Sequence, residues 1–164
     1  MALAATHLRF ALDLADRYPV ASLKRYIAGT IYPDSRWLTG QDRNTTHGSH
    51  TLQTEFPKTD YAFGWQVHCI CDHVQACRYA DLFPGLTRMD REHRWIFLSA
   101  AKMVQDLNDL QRFDLNTALS FLEYAENPQN EAIAQVRKFN TIIQETYCDR
   151  DAHNPPDYHR LWVQ

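Results

Sequence analysis

Glycine is scarce in this chain, with five among 164 residues. No long stretch alternates apolar and polar residues as a half-buried strand does, and helical periodicity dominates instead. Runs of one charge sign are also missing, and the formal net charge is −3. Bulk charge therefore predicts no stable binding to nucleic acid or to an anionic membrane, although a local basic pocket stays open. No window of about 18 apolar residues occurs, so no segment reads as membrane-spanning. The opening stretch MALAATHLRFALDLADRYP is interrupted by Arg9, Asp13, Asp16 and Arg17, unlike a signal peptide. Cysteine is limited to Cys69, Cys71, Cys77 and Cys148, three of them within one expected helix. That is a poor disulfide framework, and reduced thiols in a cytoplasmic protein are the expectation. Internal repeats, low-complexity tracts and interdomain linkers are absent from the sequence.

What remains is a chain with 45% apolar residues, enough for one good core, which argues against disorder. The expected fold is all-α: a single domain over residues 1–164, a bundle of about six helices. The first runs from about Thr6 to Tyr18 and stops at Pro19, with His7, Phe10, Ala11 and Leu14 on one face. The second covers Val20 to Ile31 and ends at Pro33. Residues 32–58, rich in Thr, Asp, Asn, Gly and Pro, read as one long ordered loop; loops of that length in compact domains are usually functional or disordered. The third helix spans Thr59 or Asp60 to Leu82, with a stripe of Phe63, Val67, Ile70, Val74 and Cys77. A fourth covers Arg88 to Leu110, with Ile96, Ala100, Met103, Leu107 and Leu110 in register. Asp114 is the expected cap of a fifth, which buries Leu115, Ala118, Leu119 and Leu122. The sixth opens near Pro128 and aligns Ala132, Val136, Phe139, Ile143 and Tyr147.

Histidine is abundant, at eight residues. His68 and Asp72 lie four apart on the third helix, so both point to the same side, about 6 Å apart at Cβ. Imidazole and carboxylate both suit zinc. A surface hydrogen-bonded pair has the same spacing. The surrounding Tyr61, Ala62, Phe63, Trp65 and Val67 are largely apolar, however, and an ionisable pair in a buried helix needs a partner. Asp34 follows Pro33 and could be a simple turn residue. His47 before Gly48 could be a loop histidine. His7, on the apolar face of the first helix, could be a satisfied core histidine.

The order of these pieces is more specific than any one of them. His7 in the first helix is followed by Gly29-Thr-Ile-Tyr-Pro-Asp34, then Thr45-Thr-His47-Gly48, then His68-x-x-x-Asp72. This arrangement, over about residues 5–80, resembles the zinc-dependent phospholipase C family, which is related to the zinc-dependent single-strand nucleases. The resemblance implies an all-helical fold with a metal cluster in a cleft. It implies that Asp34, His47, His68 and Asp72 hold one ion, and that Asp72 bridges to a second ion that also takes His7. The family's His-x-x-x-Glu is missing, so one or two ions are expected, zinc first, with manganese or iron open. His73 and His93 are stand-ins without a matching motif.

The implied activity is hydrolysis of a small phosphoester by metal-activated water, with Asp34 or Asp72 orienting or deprotonating that water. Arg36 and Arg43 flank the loop ligands and could hold a phosphate oxygen; solvated loop arginines would look the same. His50 could support His47, and Trp37 and Trp65 could be core or cleft wall. A helical His-Asp phosphohydrolase is a weaker match, because Asp72-His73 has the reverse order. The alternative is a non-catalytic helical module whose structural metal pins the 34–47 segment for binding a partner.

Overall fold

The computed structural model describes residues 2–48 and 57–162, with the side chain of Trp162 excepted. Its architecture is all-α, and among the described residues there is no strand. No described helix is long and apolar enough to cross a membrane. Helix α1 (Ala4–Ala15) and helix α2 (Leu23–Ile31) lead into a 3-10 turn at Tyr32–Ser35. Short helices α3 (Arg36–Thr39) and α4 (Arg43–His47) follow, then the long α5 (Asp60–Leu82) and α6 (Arg91–Leu110). Helices α7 (Leu115–Ser120), α8 (Ile133–Tyr147) and α9 (His159–Trp162) complete the chain.

Capping explains several boundaries. The Thr59 hydroxyl accepts from Ala62 N and opens α5; Asp114 accepts from Thr117 N and opens α7. Helix α2 starts at Leu23 rather than near Val20 because Ser22 caps it through Arg25 N. Helix α6 starts at Arg91 rather than Arg88 because Asp90 caps it and a 3-10 turn occupies Pro84–Arg88. Helix α8 starts at Ile133, later than Pro128 suggests, since Asn130 takes φ 58° and breaks any helix there.

The stretch expected as a loop from residue 32 is helical for much of its first half. Pro33 sits at the start of the 3-10 turn, where its missing N–H costs nothing, so it prolongs α2 rather than ending the helical path. Gly40, at φ 71°, closes α3 in the left-handed conformation. Asp42 then caps α4 through Asn44 N. Residues 49–56, including His50, lie outside the described residues.

A main core runs through the bundle, with a smaller cluster of Ala28, Tyr32, Tyr61 and Val136 beside it. Leu8, Ala11, Tyr26, Ile27 and Val67 pack with Leu119, Leu122, Phe139, Ile143 and Tyr147. The stripe expected on α5 holds only in its first half. Val74 and Cys77 are exposed, and Cys71, Gln75 and Tyr79 turn inward instead. The cause is α6, whose Gln105 accepts hydrogen bonds from both Gln75 and Tyr79. On α6 itself Ile96 and Ala100 face solvent, while Asp106 is fully buried. On α8, Ala132 is exposed and the other four expected residues are buried.

Helices α2 and α5 cross with backbones almost touching. A Cβ on Gly29 would overlap the Tyr61 carbonyl, and one on Gly64 would overlap the Tyr26 carbonyl. This approach carries His68, one turn beyond Gly64, against the end of α2.

Candidate metal centre

His68 is 0% exposed, and its Nδ1 lies 2.8 Å from the Thr30 carbonyl oxygen. A carbonyl only accepts, so Nδ1 carries the proton and Nε2 is left with a lone pair. Thr30 sits in the last turn of α2, where carbonyls lack an intrahelical partner. Helix α4 brings His47 in from the other side. Trp65 Nε1 donates to the Thr46 carbonyl at 2.7 Å, and the Thr46 hydroxyl meets His47 Nδ1 at 2.8 Å. Both contacts fix the ring so that His47 Nε2 lies 3.0 Å from His68 Nε2.

Two carboxylates complete the group. Asp34 Oδ1 lies 3.5 Å from His47 Nε2 and 3.9 Å from His68 Nε2. Asp72 Oδ2 lies 3.8 Å and 3.9 Å from the same two nitrogens. Zinc–ligand bonds of about 2.0–2.1 Å in a tetrahedron imply donor–donor edges of about 3.3 Å. The observed distances of 3.0–3.9 Å fall on both sides of that edge, so the two imidazoles would part slightly and the carboxylates close in. Either His47 carries its proton on Nε2 and gives it to His68, or a cation joins the two nitrogens.

His7, also 0% exposed, forms a second layer. Its ring stacks on His68 at 3.7 Å between centroids, and neither of its nitrogens has a hydrogen-bond partner. Buried polar atoms are normally paired. His7 Nε2 lies 3.5 Å from Asp72 Oδ1, the oxygen that also accepts from Ala2 N at 2.6 Å. Asp72 thus turns one oxygen to His47 and His68 and the other to His7. Donor atoms of His7, His68 and Asp72, and those of Asp34, His47 and His68, gather closely enough to hold an ion each. Only one of the two groups can use His68, since Nδ1 is engaged.

The electrostatics agree with ligand chemistry. Burial holds His7 well below the usual histidine range, with repulsion from His68 adding to it. Burial lowers His68 too, against the pull of Asp34 and Asp72. Burial alone would raise both carboxyls, but His68, joined by His47 and His7 at Asp34 and by the Ala2 N–H and His47 at Asp72, more than offsets it and holds them below the ordinary carboxylate range. Neutral imidazoles and ionised carboxylates are the states a divalent ion requires.

All five expected ligands therefore converge. Arg36 lies close enough to Asp34 to feel its charge, and its guanidinium covers the Trp37 ring at 3.9 Å. Arg43 is exposed beyond it. His73 and His93 are exposed and pair with Cys77 and Asp90, away from the cluster. The Thr30 carbonyl and the Thr46 hydroxyl were not foreseen; Thr46, one residue before His47, was the only local hint.

Asp34 also borders a cavity of about 350 Å³ between α1, α3, α6, α8 and α9. Its wall is mainly apolar, with Trp37, Trp95, Phe139 and Ile143 prominent. No family model, curated protein or solved structure matches this chain.

Proposed function

We propose that the protein is a metal-dependent hydrolase of phosphate esters, with His47, His68, Asp34 and Asp72 holding one divalent ion, most simply zinc. The observation that carries the reading is that Asp34 and Asp72 each place an oxygen 3.5–3.9 Å from both imidazole Nε2 atoms, which lie 3.0 Å apart on fully or nearly buried rings. His7 and the second oxygen of Asp72 offer a smaller set for a second ion. When bound, such an ion supplies a hydrolytic nucleophile at neutral pH and polarises the phosphoryl group. The chain's own residues do the rest. Thr30 fixes the tautomer of His68, as outer partners of metal-binding histidines commonly do. Asp34, 18% exposed and on the cavity wall, is the better placed of the two carboxylates to orient attacking water and take its proton. The guanidinium of Arg36 adds positive charge near Asp34 for a phosphoryl oxygen, with Arg43 farther out. The apolar cavity receives the organic part of the ester and excludes water.

The same four donors favour a second reading. Closed sets of four protein ligands are typical of structural zinc. Here that ion would pin α4 and the Tyr32–Ser35 turn onto α5, in a domain that binds a partner. Assay of zinc-supplemented protein against phosphate mono- and diesters separates the two. Hydrolysis that chelator abolishes and zinc restores supports the enzyme. No hydrolysis across the panel with metal fully loaded puts the structural site ahead, and activity that survives metal removal overturns the proposed mechanism.

A further inference from the structure

The cavity beside Asp34 has one charged wall residue besides Asp34 itself, and it is Lys102. Asp34 is engaged with His47 and His68. Lys102 is partly buried, and no carboxylate lies within ion-pair distance of it among the described residues. Trp95, Ser99 and Lys102 follow one face of α6 at helical spacing and line the cavity together. Phe139 and Ile143 line it from α8. Two tryptophans of this wall remain open to solvent, Trp37 at 54% and Trp95 at 62%. Arg36 stacks on Trp37 and orients its ring. A cavity of this volume is at the small end of ligand sites, which are mostly apolar with a few placed polar groups. A lysine with no carboxylate partner, lining a mainly apolar cavity, favours a ligand that brings the opposite charge.

We propose that this cavity takes an amphipathic anion, a flat apolar body bearing one negative group, and that Lys102 selects for the charge. The proposal deepens the phosphoester reading, on which its catalytic meaning rests: it specifies a substrate with an aromatic or similarly flat apolar portion and a negative charge within reach of Lys102. The binding itself needs neither turnover nor that reading.

The test uses a matched pair of fluorescent probes on zinc-supplemented protein, 8-anilinonaphthalene-1-sulfonate and N-phenyl-1-naphthylamine, which lacks the sulfonate. The sulfonate should bind about tenfold tighter, the scale of one charge-assisted hydrogen bond. Lys102→Met should remove that advantage and leave the neutral probe within about twofold, while Lys102→Arg should restore it. Trp37→Ala should weaken both probes. Lys102 also borders a neighbouring cavity of about 240 Å³ lined by the exposed Ala76, so Ala76→Phe should leave both affinities unchanged. Equal affinities in the natural protein, an unaltered sulfonate affinity in Lys102→Met of normal melting temperature, or loss of binding in Ala76→Phe would each overturn the assignment. Sulfonate binding that persists where no ester is hydrolysed refutes the proposed reaction and leaves this site standing.

Discussion

Asp106 is the most consequential acid outside the histidine–aspartate cluster. It is 0% exposed and lies at the meeting point of α1, α6, α8 and the segment before α9. Thr6 N donates to its Oδ1 at 3.0 Å, and the hydroxyls of Tyr147 and Tyr158 donate to its Oδ2 at 2.8 and 3.1 Å. Those donors favour the carboxylate, but burial outweighs them and pushes the pKa from 3.8 to about 6. The folded state thus holds this proton more tightly than the unfolded chain. Its contribution to stability is fully present below about pH 3.8 and is lost as pH rises through about 6. At about 1.36 kcal/mol per unit, the loss is roughly 3 kcal/mol. Asp106→Asn keeps the shape and removes the titration. Urea denaturation of both proteins from pH 4 to pH 7.5 should show the natural protein losing about 2.5 kcal/mol relative to the variant, since part of the contribution is already gone at pH 4. Groups common to the two proteins largely cancel in that difference. A constant difference would refute the burial argument. A difference of opposite sign would show that the three donors hold the carboxylate ionised.

Gly64→Ala should destabilise the fold by about 1–3 kcal/mol, the usual cost of overpacking, because the new methyl meets backbone of Tyr26 and Thr30 rather than a side chain that can turn away. It should also weaken zinc binding by displacing the Thr30 carbonyl from His68, whereas Gly85→Ala, which opens onto free space, should change neither. Titration calorimetry together with denaturation would show both effects, and unchanged zinc affinity in Gly64→Ala would break the link between helix approach and site. On the proposed metal centre, elemental analysis should find at most two ions, with His7→Ala removing one and Asp72→Ala lowering occupancy further. Three ions, or full occupancy in Asp72→Ala, would show the ligand assignment to be wrong.

The long helices were legible because their signals are local. Thr59 and Asp114 cap where their residue types predict, and Leu115, Ala118, Leu119 and Leu122 bury the face their spacing marks. The order of His7, Asp34, His47, His68 and Asp72, through the resemblance it carries, marks the five residues that the fold brings together. The helical path through Pro33 and Gly40 was hidden by composition, since the residues that start and stop very short helices also make turns. Val74 and Ile96 were misplaced because periodicity marks an apolar face but not which face a neighbour covers, and Gln75, Tyr79, Gln105 and Asp106 form polar contacts there instead. Thr30 was illegible as an orienting group because its part is played by backbone, to which side-chain identity gives no clue.

Helix α4 has five residues, far too few to persist by its own hydrogen bonds. Its rigidity is borrowed at the Thr46 carbonyl, which accepts from Trp65 Nε1 and from Cys69 Sγ at 3.5 Å. His68 and Asp72 ride on a helix of 23 residues, and His7 on one of 12. The centre therefore has an anchored half and a hinged half with separate opening free energies. Amide exchange at α4 should run ahead of that at α5, and for any ion held there the departure of His47 is the natural first step of release. Exchange of the ion would then be timed by local opening of α4, in which the contacts at the Thr46 carbonyl oxygen break, without global unfolding.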